Sequence, residues 1–329
     1  MLADRPLLGP GETMPETVVL RRMADYSEVS GSRRFFEDLE TLAAPLSPGA
    51  KVLIKPNLVA ARHTPLACTH PAVVREVGRY FRQAGCRVTV GDSPAFGSAS
   101  GVARRCGYGP WLRDEGMPIV TLDRPVAVDV SWGERVGISR RALEADLIVN
   151  VGKLKAHGQM RLTACIKNLF GCVSGVRKGL AHARYGERGT RFEDLLLEVA
   201  LALPPTLHVL DGVQVLHRWG PTHGTPLDFG LLGVAADGFA LDAAAYTAVG
   251  MDPEAIPLWR AARRRRISGA WTESHSYPAL APSFWQDQGF EVPATLNPVS
   301  FRPAQLARSL LRRIWFRIRD RFNSGLKLS

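Results

Sequence analysis

The 329-residue sequence has few cysteines, and none of them are paired by spacing. Cys68, Cys86, Cys106, Cys165 and Cys172 make an odd count without a single CxxC. That excludes a disulfide-built scaffold, a zinc ribbon and a ferredoxin-type iron–sulfur module within this chain. No apolar run is long enough to span a bilayer. The first residues, MLADRPLLGPGETMPE, lack a basic stretch followed by an apolar one, so no secretory signal is expected and a cytoplasmic location follows. Internal repeats, low-complexity tracts and recognisable nucleic-acid motifs are also missing, which makes nucleic acid an unlikely partner.

The formal net charge of +11 is not spread evenly. From Trp259 onward there are thirteen Arg or Lys against four Asp or Glu, which leaves a body of only about +2. Within residues 303–329 the segment PAQLARSLLRRIWFRIRDRF reads as a basic amphipathic helix. Leu306, Leu310, Leu311, Ile314, Ile318 and Phe322 share one broad face, with Arg308, Arg312 and Arg319 opposite. Such a helix suits an anionic membrane surface, at the inner face of a membrane, or packing on the body or on a partner.

Short apolar strands alternate with amphipathic helices. Strands are expected at 17–23, 51–59, 87–94, 118–122, 146–152, 206–213 and 231–237, and helices at 32–46, 71–85, 190–203 and 239–250. Pro71 sits where a first helical residue would, Gly85 and Gly250 where helices stop, and Thr190 with Glu193 forms a capping-box pattern. The alternation predicts an α/β fold of Rossmann-like type, a largely parallel sheet with helices on both faces. Residues 1–15 read as a flexible lead and 16–258 as the α/β domain, with a division into two lobes allowed near 125–145. Residues 259–302 read as an irregular connection.

In such sheets ligands bind beyond the carboxyl ends of the strands. Those ends carry Lys55 and Asn57, Asp92 and Ser93, Lys153 with Lys155 and His157, and Asp211. His157 among lysines suits a general base, because neighbouring cations disfavour its charged form. Lys167 in the apolar stretch TACIKNLFG suits an anion anchor or a nucleophile. Lys153 and Lys155 would share one face of an extended segment and hold a small anion. Arg177, Lys178 and His182 lie in the glycine-rich stretch 175–191, which has the composition of a lid. Asp92 and Asp211 offer ribose or metal contacts or simply cap turns, and Gly220 and Gly224 permit close backbone approach. His217 and His223 lack a third ligand for a metal. Cys165 and Cys172 read as core thiols.

Several of these segments resemble the DUF362 proteins: VLIKPNLV (52–59), THPAVVREV (69–77), VGDSP (90–94), the block from ADLIVNVGKLKAHG to IKNLFGCVSG (145–175), LDGV with GPTHG (210–224) and DGFALDAAA (237–245). The resemblance implies a family of uncharacterised activity, many members of which carry an added pair of cysteine clusters that this sequence lacks. More distantly, the order His157, Lys167, His182 is similar to the central segment of the nickel-pincer lactate racemase family. That resemblance implies acid/base work for His157, a nucleotide-derived cofactor on Lys167, and acid/base work or nickel ligation for His182. The Thr69-His70-Pro71 turn is similar to that family's phosphate-contacting element, which places Thr69 beside a cofactor with Lys55, Asn57, Asp92, Ser93, Lys153, Lys155, Asn168, Asp211, Gly220 and Gly224. The chain departs from the pattern in two places: TACIKN replaces a glycine-rich run before the lysine, and the arginine of the turn is missing. The combined expectation is a racemase- or oxidoreductase-like enzyme acting on a small anionic substrate, with an unassigned metal or nucleotide-derived cofactor and a homodimer as candidate assembly. Its alternative is a non-catalytic redox or assembly partner, or a peripheral membrane scaffold.

Overall fold

The computed structural model describes residues 15–59, 65–95, 97–109 and 111–299. The expected lead and the basic tail 303–329 therefore lie outside the described residues, apart from residue 15.

Eleven strands are assigned among the described residues: β1 (Glu16–Arg22), β2 (Lys51–Pro56), β3 (Arg87–Asp92), β4 (Ile119–Thr121), β5 (Pro125–Asp129), β6 (Arg135–Ser139), β7 (Leu147–His157), β8 (Arg161–Thr163), β9 (Thr206–His217), β10 (Thr225–Ala235) and β11 (His275–Ser276). The main sheet runs β11-β1-β10-β9-β7-β2-β3-β4, and β8 folds back on the end of β7. Strands β9, β7, β2, β3 and β4 are mutually parallel, whereas β10 is antiparallel to both β9 and β1. The fold is thus α/β with a mostly parallel mixed sheet.

Side-chain alternation divides the core between the two faces of this sheet. Val52, Ile54, Val149 and Val151 pack with Phe35, Val73, Val77 and Phe81 of the helices Arg33–Leu42 and Pro71–Gln83. Leu53 and Ile148 point the other way, into a core with Leu196, Leu241, Ala244 and Trp259. Pro71 is the first residue of its helix, and Gly85 and Gly250 follow their helices with φ +78° and +71°, as a stop residue should. The capping box does not form. Thr190 precedes the helix Arg191–Leu201, but its hydroxyl donates to Asp194 Oδ2.

Three elements differ from the sequence expectation. The region 125–139 is an antiparallel ribbon, β5 with β6, that sends Val136 and Ile138 into the core. The connection after residue 258 is less irregular than expected, because the helix Pro257–Arg264 runs through its start, followed by 3-10 turns. Strands β7 and β9 also outrun their expected ends, to His157 and His217. That extension carries Lys153, Lys155 and His157 as strand residues rather than loop residues.

Candidate functional site

The carboxyl ends of β2, β3 and β7 open into a cavity of about 260 Å³. Its wall is completed by the helix Cys165–Leu169, the helix Arg177–Tyr185 and Pro221 from the β9–β10 connection. Lys55, Asn57, Asp92, Ser93, Lys155, His157, Lys167, Asn168 and His182 all line it, as does Lys178. The apolar lining comes from Leu58, Val59, Ala95 and Phe170.

The base of the cavity is an ordered polar network. Lys55 Nζ meets Asp92 Oδ1 at 2.8 Å with both groups out of solvent. The same ammonium donates to Asn168 Oδ1 and to the Pro56 carbonyl, both at 3.1 Å. Asp92 is fully used: Leu58 N donates to Oδ2 and Ser93 N to Oδ1, each at 2.8 Å. Asn168 is the hub. Its Oδ1 also accepts from Asn57 Nδ2 at 3.0 Å, and its Nδ2 donates to Asn150 Oδ1 at 2.8 Å. Gly171 explains one constraint in this network, since a Cβ there would stand 2.3 Å from Asp92 Oδ1 and 2.5 Å from Lys55 Nζ. The buried ion pair therefore requires glycine at that position.

Above this base Lys155 and Lys167 have no carboxylate paired to them among the described residues. Lys155 donates to Asn57 Oδ1 at 2.6 Å and to the Ala67 carbonyl at 2.5 Å, neutral oxygens in both cases. Burial lowers its pKa to about 7, opposed by Cys68 and Asp92 and assisted by Lys167 and Lys153. Burial brings Lys167 down to about 8. Lys178 Nζ donates to the Ser93 carbonyl. Around the cavity, then, stand Lys155, Lys167 and Lys178, and among the described lining residues the one carboxylate, Asp92, already faces Lys55.

The two cavity histidines have opposite tautomers. His157 Nδ1 accepts from Gln159 N at 3.1 Å and Met160 N at 3.2 Å. A neutral ring that accepts at Nδ1 carries its proton on Nε2. In this tautomer the ring stands at the cavity as an N–H donor, where the sequence suggested a general base. Burial, followed by the charges of Lys167, Lys155 and His182, drives its pKa well below the usual imidazole value. His182 Nδ1 lies 3.0 Å from the Val299 carbonyl, which can only accept, so Nδ1 bears the proton and Nε2 the lone pair. Burial and then Lys167 lower His182 to about 4, so it is neutral at physiological pH.

Other expected residues are drawn into a second cluster. Lys153 Nζ is 2.9 Å from Asp211 Oδ2, both fully buried, and donates to the Tyr26 hydroxyl at 2.9 Å. Tyr26 in turn donates to Asp211 Oδ1 at 2.9 Å, and its ring stacks on His70 at 3.5 Å between centroids. His70 N donates to Asp211 Oδ2 at 2.8 Å. Lys153 and Asp211 thus satisfy each other and do not line the cavity, against the expectation that they hold a ligand. The β7–β9 register sets Lys153 opposite Asp211 and, after a shift, Lys155 opposite Leu216, so only Lys153 has a carboxylate across the ladder. Thr69 is likewise committed, since its hydroxyl accepts from Asn57 N and donates to the Val151 carbonyl, both at 2.8 Å. Gly220 is needed for packing, because a Cβ there would sit 1.8 Å from the Ala156 carbonyl oxygen, and at Gly224 it would meet the Trp219 carbonyl at 2.5 Å. Both close approaches are to backbone rather than to the cavity lining.

The sequence reading gave Asp242, near a helix start, a structural role and missed how it serves the site. It is fully buried and accepts from Cys165 N at 2.6 Å and Ile166 N at 3.1 Å, capping the short helix that presents Lys167 and Asn168. An acid in the otherwise apolar FALDAAAYTA was the available signal. Asn150 was also missed; its Nδ2 bonds the Cys165 carbonyl at 2.8 Å. Cys165 and Cys172 are buried thiols raised by desolvation, Cys172 to about 12, which keeps them protonated.

Metal ligation by His182 gains no support from its surroundings. Among the described residues no three His, Cys, Asp or Glu side chains gather to hold a metal. His157 turns its protonated nitrogen away from its backbone donors, and Asp92 is committed to Lys55. The residues present do not form a metal site by themselves.

Across residues 52–247 the chain matches the family model described as Domain of unknown function (DUF362). It is 35% identical over 309 residues to the thylakoid-associated protein sll1697 of Synechocystis sp. (strain ATCC 27184 / PCC 6803 / Kazusa), covering 92% of this chain and 96% of that protein. Among solved structures it is similar to the lactate racemase apoprotein from Thermoanaerobacterium thermosaccharolyticum, with a TM-score of 0.41 and 14% identity over 62% of this chain and 52% of that one. A protein from Thermotoga maritima gives a TM-score of 0.41 and 11% identity over 60% and 53% of the two chains. The chain spans about half the length of each of these two solved proteins.

Proposed function

The chain belongs to the DUF362 family, and we propose that it is an enzyme that binds a small organic anion and moves a proton on it. The observation that carries this reading is the pair of ammonium groups, Lys155 and Lys167, around a cavity where, among the described residues, the one lining carboxylate is taken by Lys55. Burying cations without counter-charge is costly, and a bound carboxylate or phosphate supplies what is missing. The anion would restore the lowered pKa values of Lys155 and Lys167 towards their ordinary range.

The histidines give the site its chemistry. His182 offers the Nε2 lone pair that takes a proton, and His157 offers an N–H that stabilises oxygen charge developing as that proton leaves. A neutral imidazole can serve as such a donor when its environment keeps it from charging. The substrate class this supports is a small carboxylate with a C–H made acidic by an adjacent carbonyl or carboxylate carbon. No step requires a bound metal.

Proton NMR in deuterium oxide tests the reading, with a panel of 2-hydroxy and 2-oxo acids and the full-length protein. Enzyme-dependent exchange is expected at carbon 2 of the hydroxy acids or at carbon 3 of the oxo acids, lowered at least about a hundredfold in His182→Gln. Exchange that is unaffected by His182→Gln would remove that residue from the mechanism. Failure of the panel anions to bind by calorimetry would remove the anion site itself.

A second reading concerns location. The basic amphipathic sequence of 303–322 and the thylakoid association named for the 35% identical relative both favour a protein that sits peripherally on an anionic membrane. Among the described residues no helix is long and apolar enough to cross a membrane.

A further inference from the structure

We propose that the rim of the cavity is the face on which this protein docks to an anionic bilayer surface, so that the cavity opens towards the membrane. The inference deepens the peripheral-membrane reading above and rests on it, while the small-anion site stands without it. Three separate chain segments form the rim, and each pairs an inward residue with outward apolar or basic ones.

The first segment is the β9–β10 connection. Pro221 lines the cavity, and two residues earlier Trp219 stands 67% exposed beside exposed Arg218. The backbone here has no freedom to tuck the indole away, because Gly220 lies against the Ala156 carbonyl and its own carbonyl accepts from Gly158 N at 3.3 Å. The second segment is the helix Arg177–Tyr185. Gly179 and His182 face the cavity, and Leu180, 49% exposed, projects outward with exposed Arg177, Arg184 and, past the helix end, Arg188. An indole and an aliphatic side chain left in water beside Arg177 and Arg188, with Arg218 and Arg184 paired to Glu291 and Glu134, are what an interfacial surface presents.

The third segment fixes the direction. Residues 297–299 lie across the mouth: Asn297 N donates to the Gly158 carbonyl at 2.6 Å, Gln159 Nε2 donates to the Pro298 carbonyl at 2.8 Å, and His182 donates to the Val299 carbonyl at 3.0 Å. The basic amphipathic sequence 303–322 starts only four residues after Val299. The chain therefore hands over from the cavity rim to its most membrane-suited sequence within a span of about 13 Å at full extension. A basic, apolar rim and a basic, apolar sequence so closely joined would meet one anionic bilayer together.

The test is vesicle co-sedimentation of the full chain with phosphatidylcholine vesicles, with and without phosphatidylglycerol. Binding to the anionic vesicles alone is expected. Trp219→Ala should lower partitioning about tenfold and Leu180→Ser about threefold. Leu201→Ser should change nothing: Leu201 is 55% exposed but sits just before the amino end of β9, away from the cavity mouth. These are surface positions, and a thermal melt of each variant confirms folding. Anionic-vesicle binding that both rim variants leave intact would overturn the proposal, because the tail alone would then account for it. Absence of binding by the full chain, or an equal loss in Leu201→Ser, would overturn it too. Calorimetry of the same samples with a small carboxylate and no vesicles reports on the anion site separately.

Discussion

Strand β7 presents two lysines two residues apart, and the surroundings give them opposite assignments. Lys153 meets a carboxylate, a tyrosine hydroxyl and a stacked Tyr26–His70 pair, and its charge is closed off from the cavity. Lys155 meets two neutral oxygens and faces the cavity beside Lys167. The first cluster is electrostatically complete and therefore a structural device. The second is incomplete, and a ligand's charge can finish it. The difference teaches that a buried lysine points to a binding site by what its neighbours fail to supply, since burial alone is common to both.

The comparison breaks most visibly at Asp211. Asp211→Ala leaves Lys153 buried without its partner and deprives Tyr26 and His70 N of an acceptor. A loss of about 3–5 kcal/mol is expected in urea unfolding. Adding Lys153→Met should return a large part of that loss, because the uncompensated charge goes with it. A loss under about 1 kcal/mol in the single variant would mean that the cluster is not the buried electrostatic unit described.

The two histidines separate next. His157→Ala orphans the N–H groups of Gln159 and Met160, and a cost of about 1–3 kcal/mol is expected from the loss of their shared acceptor, Nδ1. His182→Gln keeps a donor towards the Val299 carbonyl and should cost under about 1 kcal/mol. Comparison of the urea midpoints decides it. Equal losses would show that the Nδ1 of His157 is not holding that turn.

How much of this was legible in the sequence depends on the range of the interactions involved. The parallel strands, the alternation of their faces, Pro71 at a helix start and Gly85 at a helix end are local consequences of side-chain period and backbone freedom, and they read directly. Nine candidates, Lys55, Asn57, Asp92, Ser93, Lys155, His157, Lys167, Asn168 and His182, do come together around one cavity. What could not be read was the partnership of each charge. Lys153 with Asp211 and Lys55 with Asp92 are settled by strand order and by a register shift between Lys153 and Lys155, which no local pattern encodes. The tautomer of His157 depends on a two-residue turn after a strand that was expected to end five residues earlier. The ribbon of β5 and β6 was missed because its alternation faces the core on one side only over five-residue strands.

The smallest effect is the most specific to the incomplete cluster. Lys167→Met removes an ammonium that burial already disfavours, so its stability change should be within about 1 kcal/mol, far below that of Asp211→Ala. Its signature is in pH instead. With a folded pKa of about 8 against an ordinary lysine value, the unfolded chain binds more protons than the native one between those limits. Lys167 therefore makes the ligand-free protein gain stability as pH rises above 8, and Lys167→Met should flatten that rise in a series of thermal melts. Anion binding runs the other way. A bound carboxylate raises the pKa values of Lys155 and Lys167, so binding takes up protons and affinity should climb as pH falls through 8, levelling below about 7. In Lys167→Met the upper part of that climb should vanish while the part near 7, set by Lys155, remains. A pH profile identical to that of the unaltered protein would place the anion's charge somewhere other than beside Lys167.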